Sequence, residues 1–123
     1  MEDLTLQKII EIHQEIILKH GGLDGILNVA TLEYMIYKVN RVNNVFLRSS
    51  LVLYCIASRP PFNDGNKRTA FLAAEIVLGH EGYHIDAEQD EIVEFMLNVA
   101  EYRFKSNDID TWIKGKAKKS KIA

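Results

Sequence analysis

A chain of 123 residues, 47% hydrophobic and 26% charged, can build one core but not two, and its balance is that of a water-exposed globule. No apolar run reaches the ~20 residues of a spanning helix, and Met1-Glu2-Asp3-Leu4 lacks the basic start of a signal peptide, so the expectation is a cytoplasmic protein with no membrane association. The net charge of −2 is unevenly spread: Lys114, Lys116, Lys118, Lys119 and Lys121 leave ten basic residues against 17 acidic before them, and a body charge of −7 argues against a general nucleic-acid surface.

Taken in order, Thr5 caps a helix reaching about Lys19, with Ile9, Ile12, Ile16 and Ile17 as its apolar stripe and Gly21-Gly22 as its stop. His13 sits beside that stripe and reads as a partly buried structural histidine. Asn28 caps a second helix, Ala30 to Val39, with Leu32, Met35, Ile36 and Val39 turned inward. Asn40 to Asn44 is a break. Val45 to Ser58 is the central apolar helix, with Phe46, Leu47, Leu51, Tyr54 and Cys55 expected inside. Cys55, the single cysteine, excludes an internal disulfide and reads as core filler.

Pro60 and Pro61 cannot continue that helix, so it stops near Ser58. A new one opens soon after, carrying Phe71, Leu72, Ile76 and Val77 toward the core and weakening at Gly79 and Gly82. Tyr83-His84-Ile85 reads as an extended connector. Asp86 then caps a helix from Ala87 to about Phe104, on which Ile92, Phe95, Met96, Val99 and Tyr102 recur at helical spacing. Its acidic side, Glu88, Asp90, Glu91 and Glu94, is a wetted face. Ser106 or Asn107 caps a last helix, Asp108 to about Gly115, that pins Ile109, Trp112 and Ile113 to the body. The expected fold is all-α, five or six helices over residues 1–115, followed by a basic, frayed tail at 116–123.

The stretch with chemistry in it is Arg59 to Thr69, Arg-Pro-Pro-Phe-Asn-Asp-Gly-Asn-Lys-Arg-Thr. Asp64-Gly65 makes a turn and Asn66 stands where an N-cap belongs, so a helix begins with its free N–H groups facing the loop. Lys67 and Arg68 in that first turn oppose the helix dipole, which prefers acidic residues there. An anion resolves the conflict. Free amides, a positive dipole end, a Lys and an Arg at one place are what a polyphosphate needs, and Asp64 suits the Mg²⁺ that accompanies nucleotide phosphates. The bland alternative is a capped turn with two solvated cations; the accompanying Pro, Asp, Gly and flanking helices favour the phosphate site.

Pro61 to Ala70 resembles the signature of the Fic/Doc family in its Doc toxin (death-on-curing) form, His-Pro-Phe-x-Asp-Gly/Ala-Asn-Lys-Arg-Thr. Gly21-Gly22-Leu-x-Gly25 and Gly82-Tyr-His-Ile85 extend the likeness over most of the chain. Adenylylating relatives have Gly between the Asn and the Arg and a second Arg three residues later. Lys67 and Phe71 stand at those places here, which favours the Doc branch. The resemblance implies a kinase-like toxin that transfers a phosphoryl group from ATP, with Mg²⁺, to a threonine of elongation factor Tu and is neutralised by a Phd-like antitoxin. It implies that Phe62, Asn63, Gly65, Asn66, Lys67 and Arg68 hold nucleotide, that Asp64 assists the metal, and that Asp64, Lys67 and Arg68 serve catalysis. It also places a target-docking flap ahead of the motif helix, near Asn40 to Asn44 with Arg41, trimmed by several residues.

One departure decides how the site is read. Pro60 occupies the place of the family's catalytic His, and it accepts no proton. Arg59 only donates, and His13, His20, His80 and His84 lie outside the loop in sequence. The expectation is an inactive toxin, one base change away from a His codon, or a pseudoenzyme that binds nucleotide or antitoxin. Adenylyl transfer ranks below both.

Overall fold

The structure, a computed structural model, describes residues 1–121. Six helices and one small sheet follow in order: α1 (Leu6–His20), α2 (Val29–Val39), α3 (Val45–Ser58), α4 (Asn66–Gly79), β1 (Tyr83–Ile85), α5 (Gln89–Ala100), α6 (Ser106–Lys116) and β2 (Ala117–Lys119). The all-α expectation holds, and among the described residues no helix is long and apolar enough to cross a membrane. Thr5 and Asn28 cap as expected, their side chains accepting from the Lys8 and Thr31 amides. Asn44 does the same for α3 through Phe46 and Leu47.

α3 is the axis of the molecule, packed against α2, α4, α5 and α6. A helix enclosed on so many sides has no single apolar stripe. The expected inward set is therefore out of phase: Val52, Leu53, Ile56 and Ala57 are buried, Phe46, Leu51, Tyr54 and Cys55 only half-buried, and Leu47 is exposed. On α4 small residues let the helices approach, with Ala70, Ala73 and Ala74 buried beside Val77 and Leu78. The fifth helix is shorter than expected. It starts after Glu88, whose amide donates to Glu91 Oε1, and ends in a turn at Tyr102, whose φ of 61° is left-handed.

The tail is the larger correction. Ala117, Lys118 and Lys119 pair antiparallel with Ile85, His84 and Tyr83, so the presumed connector is a strand and the presumed frayed end is its partner. Lys119 Nζ lies 4.7 Å from the Tyr83 ring centre across the pair, and just before β2 Lys116 Nζ ties the end of α6 to Glu91 Oε2 of α5 at 2.7 Å. Ile122 and Ala123 of the tail lie outside the described residues.

Arg48 is buried and enters no ion pair among the described residues. Its guanidinium donates to three backbone carbonyls instead, Val42 at 2.6 Å, Asn40 at 3.0 Å and Glu2 at 3.1 Å, tying the chain's start and the α2–α3 turn to the central helix. Arg48→Ala strands those carbonyls and is expected to cost about 3 kcal/mol, read as a lower urea midpoint at unchanged slope. Arg48→Lys, without the fork, recovers little of it.

Candidate active site

Gly65 sets the site's geometry. Its φ of 76° turns the chain into α4, and a Cβ there would stand 3.3 Å from both Ile16 Cγ2 and Ile17 Cδ1, so only glycine lets α1 approach the turn. Gly65 is thus the cap residue of α4, and the expected cap, Asn66, is the helix's first residue. The Asn66 side chain does something else. Its Oδ1 accepts from Phe62 N and its Nδ2 donates to Phe62 O, both at 3.0 Å, clamping the loop's backbone across the turn. Unlike α1, α2 and α3, α4 has no side-chain cap. Its first backbone bond is Thr69 N to Gly65 O, so the amides of Asn66, Lys67 and Arg68 point out of the helix end without a partner among the described residues.

The loop ahead of that end is held from two sides. Residues Gly21 to Asn28 lie along it: Ile26 pairs with Phe62 in a single antiparallel bridge, Leu27 and Asn28 amides both donate to Pro61 O, and Asn63 N donates to Gly25 O. Asn63 Nδ2 donates to Asp24 O, and a Cβ on Gly25, whose φ is 126°, would stand 2.6 Å from that amide nitrogen. The segment covering the motif is therefore 21–28, not Asn40 to Asn44, which forms the tight α2–α3 turn. Arg41 there stacks 3.6 Å over its own neighbour Tyr37.

His13 holds the loop from beneath, from a position 51 residues before Asp64. The imidazole is buried, 3.7 Å from the Phe62 ring centre and 4° from parallel to it, and Nε2 donates to Asp64 O at 2.8 Å. Its Nδ1 is 3.6 Å from Asp24 Oδ1. With Nε2 committed to a carbonyl and the ring stacked on Phe62, His13 is a support for the loop. Phe62 is likewise a core anchor, 1% exposed, so its ring is withheld from any nucleotide. Thr69 Oγ1 is sealed inside as well, without a hydrogen-bond partner among the described residues.

Lys67 and Arg68 come together as expected, on the wall of one groove of about 580 Å³ between α1, α4 and α5. Lys19 and His20 line the same groove, together with the carboxylate of Glu15. Phe71, Leu72, Ile92, Val93 and Leu97 give it an apolar wall. Burial pushes the Glu75 carboxyl on the same groove wall up, opposed by His84. Asp64 is exposed, with Oδ2 accepting from Leu23 N at 2.7 Å and Oδ1 unpartnered among the described residues. No cluster of three metal-binding side chains occurs among the described residues. A cation here would be held by Asp64 together with phosphate and water oxygens, a donor set that suits Mg²⁺.

Pro60 is exposed between Arg59 and the clamped Pro61, with no imidazole in its place. The turn before it is braced too: Ser58 Oγ donates to Tyr54 O, and the Tyr102 hydroxyl donates to Ser58 O at 2.9 Å.

The chain is 29% identical over 91 residues to Protein kinase doc of Escherichia phage P1, an alignment covering 69% of this chain and 72% of that one. A sequence model described as "Fic/DOC family" matches residues 3–78, from ahead of α1 to the end of α4 and through the whole clamped loop, and the chain belongs to that family.

Proposed function

We propose that this chain is a Doc-like toxin, a phosphotransferase that takes a phosphoryl group from Mg·ATP to a hydroxyl of a protein, in a form whose proton acceptor is missing. One observation carries the reading: an uncapped helix N-terminus whose first-turn cations, Lys67 and Arg68, both face one groove. In that reading the Asn66, Lys67 and Arg68 amides bind the polyphosphate, Lys67 and Arg68 neutralise charge that grows as the phosphoryl group leaves ADP, and Asp64 orients the cation. Mg·ATP when bound supplies the phosphoryl group. The acceptor hydroxyl must shed a proton as its new O–P bond forms, and Pro60 cannot receive it.

A protein acceptor is supported by the surface beside the loop. Leu23 and Leu27 are 65% and 67% exposed next to Ile26, an apolar patch of the kind a macromolecule covers. By family likeness that protein is elongation factor Tu and the acceptor a threonine. A Phd-like antitoxin is the expected restraint, with the apolar wall of the α1–α4–α5 groove as its seat. A second reading, a pseudoenzyme that binds nucleotide or antitoxin without reacting, rests on Pro60 itself.

Calorimetric titration with Mg·ATP tests the cradle without requiring turnover. Binding is expected in the chain as it stands, and Lys67→Gln combined with Arg68→Gln is expected to weaken it roughly 10²- to 10⁴-fold, since charge-assisted hydrogen bonds contribute about 1.5–3 kcal/mol each. Absence of binding, or binding indifferent to both substitutions, refutes the site.

A further inference from the structure

A second hollow, of about 390 Å³, opens between α2, α3 and the start of α6, and nothing in the reading above uses it. Its charged lining is Lys38 and Arg59, with no carboxylate, in a chain whose net charge is −2. Neither cation enters an ion pair among the described residues, and the acids that pair elsewhere, Glu2, Asp24, Glu91, Glu101 and Asp110, are all outside the hollow. Two cations lining one hollow of an acidic protein, unanswered, form a place of positive potential with an opening to solvent.

The rest of the lining sets the shape of what fits. Tyr34 and Tyr54 contribute aromatic faces, and Leu51 and Cys55 an apolar floor. Lys38 Nζ already lies 5.4 Å from the Tyr34 ring centre, so the ammonium and a ring face border the same space. Burial pushes the Cys55 thiol up, while Lys38 and Arg59 pull it the other way, which places both cations within electrostatic reach of one sulfur.

We propose that this hollow is a binding site for a small aromatic anion, an aryl carboxylate or aryl phosphate, with its ring against Tyr34 and Tyr54 and its charge on Lys38 and Arg59. Arg59 offers a planar fork for a carboxylate or phosphate, and Lys38 adds a point charge. The site is separate from the groove that carries Lys67 and Arg68, so it stands whether or not the chain transfers phosphate.

Cys55 supplies the test, because it is the single cysteine and lines the hollow. Alkylation of the intact protein by iodoacetamide, a neutral reagent, is timed with and without phenyl phosphate, benzoate and inorganic phosphate. Phenyl phosphate and benzoate are expected to slow the reaction at least about fivefold at saturation and inorganic phosphate far less. Lys38→Gln and Arg59→Gln are each expected to raise the concentration for half-protection by roughly fivefold, the scale of one partly exposed charge pair. Amide chemical-shift changes at Tyr34, Lys38 and Cys55 give a second readout that thiol reactivity does not affect. Lack of protection with silent shifts overturns the proposal. So does equal protection by inorganic phosphate, or protection unchanged in both Lys38→Gln and Arg59→Gln.

Discussion

Pro60→His is expected to raise phosphoryl transfer by roughly 10²- to 10⁴-fold, the contribution of a positioned general base, and to make the chain toxic to a host that lacks an antitoxin. The backbone is ready for it. Residue 60 is exposed, so an imidazole meets no packed neighbour. It precedes Pro61, which keeps residue 60 extended whatever its side chain. Pro61 O is fixed by two amides and Phe62 by the Asn66 clamp, so the new ring stands on a braced chain. Losing one proline from a loop costs about 0.4–1 kcal/mol, so the variant should melt within a few degrees of the parent.

The label separates the readings. Transfer from γ-labelled ATP to a protein of the host supports phosphotransfer, and recovery of the label on elongation factor Tu supports that target. Label arriving only from α-labelled ATP makes the chain an adenylyltransferase. A variant that binds Mg·ATP, folds, and transfers neither label is a binding module, and the missing histidine is then not what keeps it inert. Rescue of growth by a co-expressed neighbouring gene product tests the antitoxin in the same experiment.

The helices were legible because their punctuation is local. Thr5 and Asn28 accept from the amide three residues on, and Pro60 ends α3 wherever the rest of the chain goes. The short sheet was not, since three residues of Tyr83 to Ile85 acquire strand geometry only from a partner that follows two intervening helices. In the site, the pairing of Lys67 with Arg68 is written in adjacent positions, and the structure adds only the shared groove. The clamp is different in kind. Asn66 satisfies the rule for a cap, and the rule misleads because Gly65 already takes the left-handed turn, which frees the Asn66 amide to hold Phe62. A signal for His13 did exist. Gly25 and Gly65, spaced around a helix end and a turn, imply two segments in close approach, and His13 lies on the helix that closes on that turn.

His13→Ala is the substitution expected to damage the loop most without touching a cation. Three losses coincide: a buried ring's packing, a stack against Phe62, and the donor that satisfies Asp64 O. Together they are expected to cost about 3–4 kcal/mol, with the cavity supplying most of it. His13→Phe separates the terms, because it keeps the stack and removes only the donor. That variant is expected to lose about 1 kcal/mol of global stability while the amides of Asn66, Lys67 and Arg68 exchange faster and Mg·ATP binds more weakly. His13→Gln, which restores a donor but not the ring, should do the reverse, recovering loop protection more than stability. If His13→Phe matches the parent in exchange at those amides and in Mg·ATP affinity, the hydrogen bond to Asp64 is incidental and Asn66 alone positions the cradle.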